Sequence, residues 1–336
     1  MRNETRALFN AYVGQLATIN GIPNATTKFT VEPTVQQRLE KRIQEIAAFL
    51  GMISIQGVRE LVGDKIGLGV TGPIASRTDT SGAGERTPRD VKDLTETGYT
   101  AKQTNYDTAI KYATLDAWAK FPNFQAMLRD AIVQQQALDR IMIGFNGTSA
   151  AATTNLVANP LLQDVNIGWL KHIETDAPER VISEVVAASG EVTVGATGDY
   201  KNLDELVYEA VNSLIDPWHR ESADLRVIIG REIKTDHIQP QIANNPLPSE
   251  REALSRLIAL SRIGGVASLN VPYVPAGSIL ITIPKNLAIY YQDGGRRRSV
   301  IDNPKKDQIE NYESSNDAYV VEDHGAACLI KNVTFV

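Results

Sequence analysis

The sequence lacks the residues on which covalent cross-linking and metal binding depend. Only one cysteine, Cys328, occurs among 336 residues, which excludes an intramolecular disulfide and a cluster of thiolate ligands. Its neighbours in the segment AACLI are apolar, so we expect a buried, unreactive thiol. The four histidines occur singly, without an H-E-x-x-H motif or a pair four residues apart. This pattern disfavours a metal site, and nothing in the sequence predicts a cofactor.

Long hydrophobic runs and an excess of basic residues are missing as well. No run approaches the ~18 apolar residues that span a membrane, and Glu4 and Arg6 interrupt the apolar stretch that a signal peptide needs. The formal net charge is −6, which disfavours a protein whose main surface holds nucleic acid through lysine and arginine. We therefore expect no membrane contact, no sequence-specific DNA binding and a location in the cytoplasm of the producing cell.

Catalytic motifs are also scarce. The sequence contains neither a G-x-S-x-G elbow nor a Walker A motif. Residues 67–72 match G-x-G-x-x-G, which is typical of dinucleotide-binding folds. However, Pro73 and the polar residues after it cannot form the helix that such a site needs. We predict no catalytic residues and no enzyme, and a nucleotide-binding oxidoreductase stays only as a remote alternative.

The chain does have the composition of a globular protein, with 43% hydrophobic and 22% charged residues. Its clearest element is a long amphipathic helix over residues 123–144, about 33 Å in length, which we call the spine helix. Its predicted buried face consists of Phe124, Met127, Leu128, Ala131, Ile132, Leu138, Ile141, Met142 and Phe145. Its predicted polar face, in water or against a partner, consists of Arg129, Asp130, Gln134, Gln135, Asp139 and Arg140.

Two helices separated by a turn-rich link are predicted at the amino terminus. The first covers residues 3–20, and its apolar stripe is Leu8, Phe9, Tyr12, Leu16 and Ile19. The second begins near Pro33 and buries Val35, Leu39, Ile43, Ile46 and Leu50. An exposed link of this kind is where a protease cuts, so the first helix is either a detachable segment or an ordinary helix docked on the core.

A long hairpin is predicted over residues 51–110. Its strand-like arms flank the polar segment RTDTSGAGERTPRD, which has little to pack on within its own subunit. We expect a neighbouring subunit to hold this tip, and the candidate contacts are Arg77, Glu85, Arg86 and Arg89. The basic run Arg296, Arg297 and Arg298 is either a solvated turn or a contact with another subunit or with nucleic acid.

A second α/β unit is predicted over residues 201–300. The segment NLDELVYEAVNSLI has helical periodicity behind an asparagine that can cap it. The segment DLRVIIG is a short apolar run, typical of the centre of a covered sheet. Strand-like segments follow it, which completes an alternation of helix and strand.

This order of elements resembles that of the major capsid proteins of tailed phages. The segments MRNETRALFNAY, KFTVEP, KIGLGVTGPIAS, GFNG, NPLLQDVNIGWL, NLAIYYQD and ENYESSNDAYVVED resemble the peduovirus type, which occurs in myoviruses. The resemblance implies an α+β capsid fold with an amino-terminal arm at 1–50 and an extended hairpin, the E-loop, at 51–110. It further implies a peripheral domain at 111–200, completed by about 301–324, and an axial domain at 201–300, completed by 325–336.

The resemblance also implies the partners and the processing of the chain. Copies would assemble as pentamers and hexamers of an icosahedral head, together with a portal protein, around double-stranded DNA that is bound without sequence specificity. An internal scaffold with protease activity would trim the amino terminus at Lys28, Phe29, Thr30 or Val31. The protein would assemble in the host bacterial cytoplasm and end in the virion. A nanocompartment shell protein of the same fold is the alternative.

Overall fold

The computed structural model describes residues 1–65, 75–81, 85–87, 98–119, 121, 124–233 and 262–336. Its helices are α1 (Asn3–Ile19), α2 (Pro33–Ile46), α3 (Tyr112–Trp118), α4 (Phe124–Asn146), α5 (Trp169–Asp176), α6 (Leu203–Leu214) and α7 (Pro217–Arg220). Its strands are β1 (Phe29–Thr30), β2 (Ser54–Val58), β3 (Val62–Gly63), β4 (Tyr99–Thr100), β5 (Lys102–Asn105), β6 (Thr108–Lys111), β7 (Val181–Ile182), β8 (Val192–Val194), β9 (Arg226–Ile229), β10 (Arg262–Ile263), β11 (Val266–Asn270), β12 (Ile279–Thr282), β13 (Leu287–Gln292), β14 (Arg297–Asn303), β15 (Gln308–Val321), β16 (Ala327–Ile330) and β17 (Val333–Phe335). The mixture of helices and sheets confirms the predicted α+β class.

The larger sheet has seven strands in the order β1-β14-β15-β13-β2, and β5 and β6 also pair with β15. Strand β15 is 14 residues long and lies at its centre. Its first half pairs with β14 and β6, and its second half pairs with β13 and β5. A strand with neighbours on both sides has little contact with water, so its buried Glu313 and Asp317 need partners inside the protein.

The smaller sheet has six strands in the order β10-β11-β9-β12-β16-β7. Strand β9 is the predicted apolar run, and it lies between β11 and β12 with Val227, Ile228 and Ile229 buried. Helix α6 covers one face of this sheet and begins where Asn202 Oδ1 accepts the N–H of Glu205 at 2.8 Å. The predicted capped helix and central strand are therefore confirmed.

The main core joins the two sheets and is built around Ile43, Ile141, Phe145, Trp169, Ile289 and Leu329. Trp169 is fully buried, and its Nε1 donates a hydrogen bond of 2.9 Å to the carbonyl oxygen of Ala288. A Cβ atom at Gly144 of α4 would lie 2.2 Å from the Trp169 ring. A glycine at this position is therefore what allows α4 to approach the indole.

The spine helix is α4, which begins one residue later and ends two residues later than predicted. Its faces differ from the prediction, because Gln136 and Arg140 are buried together with Val133, Ala137 and Ile141. Placing Arg140 on the wet face was therefore wrong, and Ala131, predicted to be buried, is exposed. The reason is that α4 packs against carboxylates of α2 and β15, which give a buried guanidinium its partners. The side chains of Phe124, Met127 and Leu128 lie outside the described residues.

Some strand pairings cross the predicted domain boundaries, which stay a prediction. Strands β13 and β14 belong to the larger sheet, so a division at residue 300 falls inside β14. In the opposite sense, β7 pairs with β16 of the smaller sheet, and β8 pairs with β17. Strands β13 and β14 thus pair within the larger sheet, whereas β7 and β8 pair with strands near the carboxyl terminus. These pairings join strands that are far apart in the sequence, and local periodicity does not reveal them.

The hairpin is described at its base and in part at its tip. Strands β3 and β4 pair antiparallel at the base. Residues 66–74, 82–84 and 88–97 lie outside the described residues, and they include the G-x-G-x-x-G segment and Arg89. The other predicted contact residues of the tip, Arg77, Glu85 and Arg86, are exposed. None of the helices within the described ranges is long and apolar enough to cross a lipid bilayer.

Candidate functional site

A cluster of five charged side chains lies buried where α2, α4, β14 and β15 meet. This ionic cluster consists of Glu40, Arg140, Arg296, Glu313 and Asp317, each with a side chain no more than 4% exposed. Four separate segments of the chain supply its members. The cluster therefore connects the amino-terminal region and the spine helix to the larger sheet.

The two arginines of the ionic cluster bridge its three carboxylates. Arg140 pairs with both oxygens of Glu40, and its Nη2 lies 3.3 Å from Asp317 Oδ2. Arg296 Nη1 donates to Glu40 Oε1 at 2.9 Å, and its Nε donates to Glu313 Oε1 at 2.7 Å. Planar guanidinium groups suit such multidentate contacts better than an ammonium group does.

Neutral side chains add further hydrogen bonds to the ionic cluster. Gln136 accepts from Arg296 Nη2 at 2.9 Å and donates to Glu313 Oε2 at 3.2 Å, and Ser315 Oγ donates to Asp317 at 2.7 Å. Burial alone would raise the pKa of Glu40, but Arg140 and Arg296 outweigh it and hold that pKa below its ordinary value. Arg296 does the same for the pKa of Glu313 against its burial. Both glutamates therefore stay ionised at neutral pH.

The arginine run 296–298 does not act as one surface patch. Arg296 is fully buried inside its own chain. Its guanidinium therefore lies neither in a solvated turn nor at the surface, where the predicted contact with another subunit or with nucleic acid would place it. Arg298 is half-buried and donates to Asn311 Oδ1 at 2.7 Å and to the hydroxyl of Tyr12 at 3.0 Å. Only Arg297 of the three is exposed, and its role as an intersubunit contact stays a prediction.

Helix α1 is attached at the edge of the body rather than within the main core. Its apolar residues Phe9, Val13 and Leu16 pack on a small cluster formed by Tyr112, Leu115, Val300 and Ile309. Its polar attachments are the Arg2 N–H to Asp116 at 2.9 Å and Arg6 to Asp302 at 2.9 Å. Leu8 and Ile19, predicted as part of the buried stripe, are about half exposed, at 47% and 48%. These contacts favour the interpretation of α1 as a detachable segment.

The predicted cleavage region is only partly exposed. Lys28 and Thr30 are exposed, whereas Phe29 and Val31 are buried. Phe29 and Thr30 form β1 at the edge of the larger sheet, where they pair with Arg298 and Arg297 of β14. The link was predicted to be exposed, and Phe29 and Val31 differ from this expectation. A two-residue edge strand has no period that a sequence pattern can reveal.

An apolar groove of about 510 Å³ runs between α1 and the body. The α1 wall consists of Leu8, Phe9, Tyr12, Leu16 and Ile19, so the stripe predicted for burial faces this groove. The opposite wall includes Val35 and Leu39 of α2 and Ile132 and Val133 of α4. Gln136 and Glu313 also line it, which places the ionic cluster next to the groove.

Three of the histidines that the sequence separates come together in the structure. His172 Nδ1 lies 3.2 Å from Asp176 Oδ2, and His324 Nε2 lies 4.0 Å from the same oxygen. His219 Nε2 lies 2.9 Å from the neighbouring Asp323. Within the described part of the chain, no group of His, Cys, Asp or Glu side chains has the arrangement of a metal site. No signal in a single sequence could have revealed this grouping, because its members are up to 152 residues apart.

Comparison with known proteins gives the family. The family model described as phage major capsid protein, P2 family, matches residues 8–333. A protein of Escherichia phage P2 described as capsid proteins is 47% identical over 340 residues, which cover 99% of this chain and 95% of the relative. The major capsid protein of Serratia phage KSP20 is 41% identical over 343 residues, which cover 100% of this chain and 98% of the relative.

A solved structure agrees with these sequence relatives. The procapsid of satellite phage P4, which includes the size determination (Sid) protein, aligns with a TM-score of 0.84 and 45% identity over 100% of this chain and 99% of that chain. The capsid fold inferred from the resemblance is thereby confirmed, and neither the nanocompartment nor the oxidoreductase alternative is supported. By family model and by full-length similarity, the chain belongs to the P2 family of phage major capsid proteins.

Proposed function

We propose that this chain assembles as pentamers and hexamers into an icosahedral phage head around double-stranded DNA. It acts by binding other copies of itself and by changing shape on trimming, without catalysis. The observation that carries this proposal is the placement of α1, which docks on small peripheral clusters outside the main core. Such a segment can be removed while the body keeps its fold.

The two sheets correspond to two working parts of the subunit in this proposal. The larger sheet, the ionic cluster and α4 form the peripheral domain, and the smaller sheet with α6 forms the axial domain near the five-fold and six-fold positions. Residues 1–50 are the arm, and residues 51–110 form the E-loop that reaches a neighbour. A stiff body with extended arms suits a shell in which one sequence occupies several environments.

The proposed partners are an internal scaffold with protease activity and a portal protein, and assembly takes place in the host bacterial cytoplasm. Packaged DNA is held without sequence-specific contacts. The net charge of −6 supports this arrangement, because a strongly basic lining would hold the DNA through many phosphate contacts and oppose its release.

Trimming takes place between Lys28 and Val31 in this proposal. Lys28 is exposed and gives the protease its entry point, while Phe29 and Thr30 are already extended. A protease that binds its substrate as an extended strand must lift β1 from β14, with which it forms two residue pairs. Cleavage then frees α1 together with the first part of the link.

Co-expression with the scaffold of a P2-family phage tests this function. Electron microscopy should show closed shells, and mass spectrometry of the particles should show chains that begin between Phe29 and Val31. With a protease-inactive scaffold, shells should form, and their chains should still begin at Met1. A monodisperse monomer under co-expression would contradict the shell function, and intact Met1 in DNA-filled heads would contradict the trimming site.

A further inference from the structure

We propose that the apolar groove binds an amphipathic α-helix with acidic flanks, supplied by a partner protein that is present before trimming. The groove is defined by α1 on one side and by α2, α4 and the larger sheet on the other. This inference rests on the proposed function in one respect, since trimming removes α1 and thereby ends the binding.

The shape of the groove fits one face of a helix. Its α1 wall extends from Thr5 to Asn20, a rise of about 22 Å or four helical turns. A helix docks in such a groove through apolar anchors spaced by three, four and seven residues. The volume of about 510 Å³ accommodates a row of side chains rather than a whole helix, so the backbone of the ligand lies along the opening.

The apolar walls are incompletely covered by the chain itself. Leu8 and Ile19 project from α1 into the groove while each stays about half exposed. Leu39 and Ile132 face them from the body and are only partly buried. An apolar helix face laid between these residues would remove surface of all four from water, which is the main driving force of such docking.

The charge of the groove determines which kind of helix it can bind. Four arginines line the groove: Arg38 and Arg42 on α2, Arg129 on α4, and Arg298 on β14. Among the described lining residues the one carboxylate is Glu313, which Arg296 already holds at 2.7 Å. Two carboxylates at the rim neutralise part of this charge. Asp130 lies 3.5 Å from Arg42 and 3.0 Å from Arg129, and Glu45 lies 3.5 Å from Arg42. The groove is thus locally basic in a chain of net charge −6, and acidic flanks complement it.

The groove exists only while α1 is attached. Thr5, Leu8, Phe9, Tyr12, Leu16 and Ile19 form one wall, and all of them precede the proposed cleavage region. After trimming, the body keeps its arginines but loses the facing apolar wall. Trimming therefore converts an enclosed groove into an open surface and releases the bound helix without any change in the partner.

The test uses a defined peptide on the full, unassembled chain. The probe is a fluorescein-labelled 18-residue peptide with leucine at helical i, i+3, i+4 and i+7 spacing and glutamate at the flanking positions. A matched peptide carries lysine in place of glutamate. Fluorescence anisotropy should show saturable binding of the glutamate peptide and at least about tenfold weaker binding of the lysine peptide.

Exposed residues on both walls supply the variants, so that loss of binding does not reflect unfolding. Arg38→Glu combined with Arg42→Glu should weaken binding by at least about tenfold, whereas Lys41→Glu on the outer side of α2 should not change it. Leu8→Glu combined with Ile19→Glu should also weaken binding, whereas Ala11→Glu should not. Far-ultraviolet circular dichroism confirms that each variant is folded.

The following results would overturn the proposal. Equal binding of the two peptides, or binding that survives both double variants, would show that no acidic helix occupies the groove. Self-association that Arg38→Glu with Arg42→Glu abolishes would assign the groove to a second copy of the chain. If only a duplex oligonucleotide displaces the labelled peptide, the groove binds nucleic acid. Normal shells and trimming without peptide binding would refute this inference only, whereas peptide binding without shells would refute the proposed function.

Discussion

Arg140 is a charged residue without exposed surface, and two distant segments determine its environment. Glu40 and Asp317 contact it, at sequence separations of 100 and 177 residues. On the helix, Gln136 and Arg140 share a face with Val133 and Ile141, and an analysis that treats only apolar residues as buried assigns them to water. The partners became visible only when the fold brought α2 and β15 to α4.

Removing Arg140 should destabilise the subunit strongly. Arg140→Met leaves Glu40 and Asp317 buried with one guanidinium fewer, and breaking a buried pair in this way costs about 3–5 kcal/mol. Urea denaturation should therefore show the free energy of unfolding lowered by that amount. Arg129→Met on the same helix removes an arginine that is 61% exposed and should cost no more than about 1 kcal/mol. Equal effects of the two substitutions would mean that water reaches the ionic cluster.

His324 should make stability depend on pH in the weakly acidic range. Burial and the neighbouring Lys65 and His172 lower its pKa from 6.5 to about 4, although Asp176 and Asp323 oppose this. Because the unfolded chain binds the proton more readily, stability is fully present above pH 6.5 and is lost as the pH falls towards 4. His324→Gln should lose less stability over this interval than the parent in denaturation at pH 7, 5.5 and 4. Parallel pH profiles would contradict the prediction.

At the scale of elements, the sequence predicted the helices and strands that depend on local residues. Helix α6 begins at an asparagine cap, and strand β9 is an uninterrupted apolar run, so both were found from the sequence. Strand β1 was missed because it forms by pairing with β14, whose partner residues lie 267 and 269 positions away. The position of α4 was predictable, but its buried polar stripe was not, since α2 and β15 create it.

Two glycine-to-alanine substitutions test how differently α4 and α1 are packed. At Gly144 an added Cβ would lie 2.2 Å from the Trp169 ring, so Gly144→Ala should lower the free energy of unfolding by at least about 1–3 kcal/mol. At Gly14 of α1 no atom lies within 4 Å of the added Cβ. Gly14→Ala should therefore stabilise α1 by about 0.5–1 kcal/mol through helix propensity. Thermal unfolding of the two variants should shift in opposite directions.

At the scale of the whole molecule, the resemblance gave the fold and family, and the structure supplied the arrangement that serves assembly. Sequence order alone divided the chain at residue 300, whereas strand pairing assigns β13 and β14 to the larger sheet. The groove could not be predicted either, since α4 and β14, which help to form its walls, lie more than 100 positions from α1 in the sequence. What the sequence did show was a hairpin tip without apolar residues.

That tip should matter to the shell and not to the subunit. The hairpin base is anchored, because Tyr99 packs edge-on against Tyr290 at 5.0 Å and donates to the carbonyl oxygen of Glu60 at 3.2 Å. The described tip residues 75–81 and 85–87 are all exposed. Replacing residues 78–89 by a short Gly-Ser linker should therefore leave the free energy of unfolding, measured in urea, unchanged within about 0.5 kcal/mol. Under co-expression with scaffold, electron microscopy should show few or no closed shells.

A charge variant separates the side chains of the tip from its length. Arg77→Glu combined with Arg86→Glu keeps the loop intact and reverses two exposed charges, so like-charge repulsion should weaken assembly if these arginines meet carboxylates of a neighbour. Raising the salt concentration should then partly restore shells, because exposed charges are screened over about 8–10 Å. If the deletion lowers both the free energy of unfolding and the yield of shells, the tip belongs to the core of its own subunit. If only the deletion blocks assembly, the reach of the loop matters and its two arginines do not.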